Sequence, residues 1–142
     1  MIYEKDAWNL VESMKVIFLG PIRDAEELLK GETPVLCHIA EMGKITPTEL
    51  ARKFSLTTAR IAMILNHLEK KNWIRRVHDT EDRRKVYIYP TEAGQKQAKI
   101  KMKELHDKLS DVLEALGEDD SKEYIRLTQK VARYLKESHE SP

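Results

Sequence analysis

Within HDTEDRRKVYIYPTEAG, residues 78–94, three acids (Asp79, Glu81, Asp82) run directly into three bases (Arg83, Arg84, Lys85). The segments on either side alternate like strands, which puts these charges at the tip of an expected hairpin. Arginine at such a tip has chemistry available to it. Its guanidinium is always charged, carries five donors and can enter a narrow minor groove of DNA. A carboxylate beside it wastes attraction for phosphate unless it restrains the long side chain, a role open to Asp82. A solvated turn accounts for the same residues without any binding, so the rest of the chain has to decide.

A second constellation lies upstream. On a helix predicted over 58–71, Ile61, Ile64, Leu65 and Leu68 make the inner face. Ala59, Met63, Asn66 and Lys70 then fall on the opposite face, with Arg60 and His67 on its flanks. Thr57 and Thr58 stand at the amino end, where unpaired backbone N–H groups favour phosphate. Arg60 offers a contact to guanine or to phosphate, and Ala59 or Met63 an apolar contact to a thymine methyl. Ordinary exposed helix residues have the same composition, which leaves each single residue ambiguous.

Charge resolved along the chain favours the binding chemistry. The net charge is +1, yet residues 44–89 hold eleven Lys/Arg against five Asp/Glu, a local balance of +6 that leaves −5 for the rest. A basic middle between acidic ends is the electrostatic footprint expected of a phosphate-binding face.

The elements that must position these residues are punctuated clearly. At 142 residues, 41% hydrophobic and 35% charged, the chain has the size of one domain and the composition of a helix-rich globular protein. Ala7, Leu10, Val11, Met14, Ile17 and Phe18 recur at helical spacing over 5–19, before Gly20-Pro21, and a shorter helix is predicted over 23–30. Thr33-Pro34 is expected to cap and start a helix ended by Gly43, with Val35, Leu36, Ile39 and Ala40 inside. Thr46-Pro47-Thr48-Glu49 is a capping box opening a helix to Phe54. A tight turn separates it from the longer helix capped by Thr57, which is helix-turn-helix grammar. Asn72 suits a left-handed cap, and strands are expected over 73–77 and 85–89. Thr91 then caps a long helix in which Ala98, Met102, Leu105, Leu109, Val112 and Leu116 form a heptad seam expected to bury against another helix. Gly117 breaks that helix, and residues 120–123 read as a further capping box ahead of Tyr124, Leu127, Val131, Tyr134 and Leu135.

A helix-turn-helix followed by a hairpin, flanked by N- and C-terminal helices, resembles the MarR family of transcription regulators. ITPTELARKFSLTTARIAMILNHLEKKNWI looks like the family's helix-turn-helix, and DTEDRRKVYIYPTEAG looks like its wing. The family's Asp-x-Arg wing element falls on Asp82 and Arg84, which favours Arg84 as the residue inserted in the groove. Asn72 stands where the family usually has Gly, Pro90 where Leu is common, and Met63 at a position often basic. The resemblance implies a mainly α fold with a small β-hairpin wing. Its three parts are an N-terminal dimerisation segment (1–32), a winged helix-turn-helix (33–90) and a long helix with a C-terminal dimerisation helix (91–142). It also implies a homodimer on a pseudo-palindromic double-stranded DNA operator, and a small-molecule effector bound near Trp8, Val11, Met14 or His38.

Other chemistries have less to stand on. Cys37, His38 and Glu41 within one turn, with His106 elsewhere, are ligand types that suit zinc, but the set is sparse and no metal or other cofactor is expected. Lone Cys37 excludes an internal disulfide, and only His38 stands near it to activate a thiolate. No Gly-rich phosphate loop, His-Glu-x-x-His spacing or nucleophile elbow points to an enzyme. No apolar run approaches the roughly 20 residues of a membrane span, and no secretory signal is evident, so a cytoplasmic protein is expected. Two alternatives stay open: a winged-helix module that binds protein rather than DNA, and a metal- or redox-responsive regulator.

Overall fold

A computed structural model describes residues 2–19 and 31–140, with side chains over 2–17 and 31–138. The helix expected over 23–30 and the break at Gly20-Pro21 lie outside the described residues. The chain forms two compact units, Met1–Lys99 and Ile100–Pro142. Among the described residues no helix is long and apolar enough to cross a membrane.

The first unit contains α1 (Glu4–Leu19), α2 (Glu32–Met42), α3 (Pro47–Phe54), α4 (Thr58–Lys70), β1 (Ile74–His78), β2 (Val86–Pro90) and the first turns of α5 (Glu92–Leu116). Its core gathers one face from each central element. Val35, Leu36 and Ile39 come from α2, Leu50 from α3, Ile61, Ile64, Leu65 and Leu68 from α4, and Ile74 and Ile88 from the hairpin. Each such burial is worth about 1.5–3 kcal/mol, so α4 is held mainly by its inner stripe and its outer face is left to other uses. By contrast Trp8, Val11 and Met14 on α1 are exposed.

Two starts differ from the sequence expectation. Helix α2 begins at Glu32, capped by left-handed Gly31, with no side-chain cap from Thr33. Thr33 and Pro34 lie inside the first turn, where the missing Pro donor costs nothing. The strands sit one residue later than expected, pairing antiparallel from Ile74↔Pro90 to His78↔Val86. Pro90 closes the ladder instead of cutting it short, because the last residue of a strand needs no donor. A further bridge joins Ile45 to Ile88 through N–H···O bonds of 3.1 and 2.7 Å, turning the hairpin's inner edge toward the core.

The base of the hairpin is locked to the start of α5. The Thr91 hydroxyl donates to the Asn72 carbonyl (2.7 Å) and accepts from Gly94 N–H (3.0 Å), while Thr91 N–H donates to the Trp73 carbonyl (3.0 Å). Asn72 takes the expected left-handed conformation, φ 61°.

The second unit holds the rest of α5 and α6 (Glu118–Glu140). Gly117, at φ 85°, ends one helix and starts the next, so α6 begins ahead of Asp120 and the expected capping box at 120–123 does not form. Glu118, Asp119 and Asp120 instead occupy the first turn, where their charge favours the helix dipole. The heptad seam is divided between the two units. Ala98 is buried in the first unit, but Met102, Leu105, Leu109, Val112 and Leu116 are exposed. An apolar groove of about 180 Å³ runs between Leu109, Val112, Leu113, Tyr124 and Ile125. Among the described residues of the second unit this stripe stays exposed.

Candidate nucleic-acid interface

The helix-turn-helix is assembled from short-range hydrogen bonds. Thr46 Oγ1 accepts from Glu49 N–H, and Glu49 Oε2 accepts from Thr46 N–H, each at 3.1 Å, completing the capping box of α3. Ser55 turns the chain in the left-handed region at φ 52°. Thr57 Oγ1 then accepts from Arg60 N–H at 3.1 Å and starts α4. These caps fix where α4 begins, and with it which residues face outward.

Thr57, Thr58, Ala59, Met63, Asn66, His67 and Lys70 are all exposed, and Arg60 is half-buried. The surface is not uniform, because His67 and Asn66, besides the capping Thr57, are already committed. His67 Nδ1 lies 2.9 Å from Oε1 of Glu32, a buried carboxylate that also receives Lys71 Nζ at 3.2 Å. His67 is thus drawn toward α2 and pins α4 to it. Asn66 Oδ1 accepts from Arg76 Nη2 on β1, and Arg76 Nε lies 3.5 Å from Glu69 Oε2. Met63, 59% exposed, stands apolar in the middle of the outward face.

The wing explains its own crowding of charge. Asp79 N–H donates to the Lys85 carbonyl and Asp79 Oδ1 accepts from Glu81 N–H, which closes the neck of the tip. Lys85 N–H donates to the Asp82 carbonyl across Arg83 and Arg84. Asp82 Oδ1 accepts from both the backbone N–H and the Nε–H of Arg84, each at 3.1 Å. The Arg84 side chain is nonetheless 91% exposed, so its far end projects while its near end is tethered. His78 Nδ1 lies 3.1 Å from the Arg83 carbonyl; a carbonyl only accepts, so that nitrogen carries the proton. Two of the three acids therefore fold the tip, and one of them aims an arginine. Below the tip, Lys44 lies over Tyr87 (4.3 Å) and Arg75 over Tyr89 (4.9 Å), stiffening the sheet through cation–π contacts.

The remaining candidates do not converge. His38 packs edge-on against Phe54 at 5.6 Å, while Trp8, Val11 and Met14 stand on exposed α1. Among the described residues no group of three His, Cys, Asp or Glu is placed to hold a metal. Cys37 Sγ contacts the Ala98 carbonyl at 3.9 Å, and burial pushes its thiol pKa up, away from the reactive thiolate.

Sequence reasoning passed over Arg76, Glu69 and Glu32. Arg76 had a signal: strand alternation sets it on the face of buried Ile74, toward α4, while Arg75 faces the other way. Glu32 had none, since its partners are 35 and 39 residues away.

Comparison with known proteins meets this geometry. The MarR family model matches residues 30–86, spanning α2 through the start of β2. The chain is 29% identical over 100 residues to YcgE, an HTH-type transcriptional regulator of Bacillus subtilis (strain 168), across 70% of this chain and 65% of YcgE. It is 35% identical over 71 residues to a second such regulator of that organism, YpoP, across half of each. The chain thus spans between half and about two thirds of the length of these relatives. Among solved structures it resembles Streptococcus pneumoniae FabT in complex with DNA, at TM-score 0.67 and 20% identity over 95% of this chain and 94% of FabT, a likeness of fold.

Proposed function

We propose that the chain is a DNA-binding transcriptional regulator of the MarR family, whose model matches residues 30–86, and that it acts as a homodimeric repressor on a pseudo-palindromic operator. The observation that carries the proposal is the tethered wing arginine. A carboxylate that spends both an acceptor and its charge on aiming Arg84 outward is hard to account for in a merely solvated turn. Its partner is the capped, outward face of α4 in the same unit.

In this mechanism α4 enters the major groove. Thr57 and Thr58 at its amino end meet phosphate, and Ala59, Arg60, Met63, Asn66 and Lys70 approach base edges or backbone. His67, committed to Glu32, contributes by fixing the helix. Asp82 orients Arg84, and Arg84, with Arg83 beside it, enters the adjacent minor groove. The basic balance of residues 44–89 attracts the duplex from a distance.

The exposed apolar faces of α1, α5 and α6 support a second copy as the covering surface. A dimer then presents two α4 helices about 34 Å apart, one turn of duplex. An effector bound beside Trp8, Val11, Met14 or His38 would release DNA by favouring a different spacing of the two.

Selection from a randomised duplex library with the full chain tests the proposal. It predicts paired half-sites about 10 base pairs apart; an unpaired site, or no enrichment, contradicts it. Met63 favours one rival, an apolar protein partner on α4. That rival predicts binding indifferent to salt.

A further inference from the structure

On the outward face of α4, Asn66 is a residue whose chemistry the fold has edited. An asparagine amide carries both an acceptor and two donors, and free of other partners it pairs with adenine through both, or donates to guanine. Here it is not free. Arg76, on the inner face of β1, aims Nη2 at it, and a guanidinium has donors only. The atom facing Arg76 must therefore be Oδ1, whatever the rotamer of the amide. That leaves Nδ2 and its two hydrogens as the group offered outward.

A second lone pair remains on Oδ1, but a base amino group arriving there would bring its hydrogens against those of the guanidinium. Donor would meet donor. Arg76 Nε lies 3.5 Å from Glu69 Oε2, one turn further along α4, an ion pair that draws part of its charge inward although the buried Nε makes no hydrogen bond. That argues against Arg76 serving simply as a phosphate contact.

We propose that Arg76 is a positioning residue for specificity: by occupying Oδ1 it makes Asn66 a donor-only reader, selecting guanine (N7 and O6 acceptors) over adenine at one position in each half-site. The inference rests on the DNA-binding function proposed above. It gives the wing strand a role in base choice on the major-groove side, separate from the tip.

Randomised-duplex selection with the wild type, Asn66→Ala, Arg76→Met and Arg76→Lys tests it. The wild type should enrich guanine at one symmetric position, and Asn66→Ala should erase that preference. Arg76→Met, which keeps the apolar stem but frees Oδ1, should move the position toward adenine by about fivefold or more with an unchanged salt dependence. Arg76→Lys, still a donor, should retain guanine. Adenine at the Asn66-dependent position in the wild type, or an unaltered preference in Arg76→Met, overturns the proposal. So does uniform weakening on all sequences with a shallower salt dependence, the sign that Arg76 touches phosphate. If Arg76→Met does not fold, the wild type decides: 7-deazaguanine at that position, which lacks the N7 acceptor, should weaken binding about fivefold or more, and no loss overturns the proposal. No enrichment by the wild type would instead bring down DNA binding itself, and this inference with it.

Discussion

Replacing Gly94 by alanine should destabilise the protein, although helix propensity alone says the opposite. In the third position of α5, alanine gains up to about 1 kcal/mol over glycine. The structure opposes this with a direct clash. A Cβ on residue 94 would stand 1.9 Å from the Trp73 carbonyl oxygen and 2.7 Å from its carbon. Both are backbone atoms that no rotamer change can move. Relieving the clash needs a shift of more than 1 Å between the start of α5 and the base of the hairpin. That shift breaks or stretches the bonds from Thr91 to Asn72 and Trp73, each worth about 0.5–1.5 kcal/mol. Overpacking adds about 1–3 kcal/mol. The net loss should be about 2–4 kcal/mol, lowering Tm by roughly 6–15 °C for a chain of this length. Circular dichroism melting of wild type and Gly94→Ala reads it. An unchanged or raised Tm would refute the close approach of α5 to Trp73.

Other substitutions separate aim from affinity. Arg84→Ala should weaken DNA binding while shifting stability by less than about 0.5 kcal/mol, since the side chain is exposed. Asp82→Ala should also weaken binding, though it removes a negative charge from the DNA-facing tip; tighter binding in gel-shift titrations would show that the tether to Arg84 does not matter. Thr57→Ala should cost about 1 kcal/mol in urea unfolding by removing the cap on Arg60 N–H, and an unchanged midpoint would discount that cap. Cys37, half-buried with its thiol pKa pushed up, should react with iodoacetamide only slowly at neutral pH and faster as pH rises. Rapid labelling at pH 7, or DNA release by mild peroxide, would restore a redox-responsive regulator.

The parts of the fold that are legible in the sequence are those governed by neighbours three or four residues apart. The capping box at Thr46, the cap at Thr57 and the left-handed Asn72 each follow from local hydrogen bonding, and they delimit α3 and α4 closely. The inner stripe of α4 is legible for the same reason, since helical period alone assigns Ile61, Ile64, Leu65 and Leu68 to one face. What escapes depends on partners far along the chain. Ile45 joins the sheet through Ile88, Gly94 yields to a carbonyl 21 residues earlier, and Glu32 engages His67 on the flank of α4. The start of α6 falls earlier than the capping pattern implies because Gly117 can both end one helix and begin another. In the candidate site, residue positions are readable, but not which side chains are already engaged: Asn66 on the outward face and His67 on its flank both look available until Arg76 and Glu32 arrive.

The most direct test of the account is the salt dependence of binding to a selected duplex, measured at equilibrium with the full chain. Neutralising phosphates with the basic surface of residues 44–89 predicts a linear fall of log K with log salt, with slope about −0.9 for each phosphate neutralised. If a dimer meets six or more phosphates, affinity should fall at least about a thousandfold between roughly 50 and 200 mM salt. Arg84→Ala should make that slope shallower by about one unit for each wing arginine withdrawn from its groove. A slope near zero, or binding equally strong in Arg84→Ala across the salt series, would contradict the account.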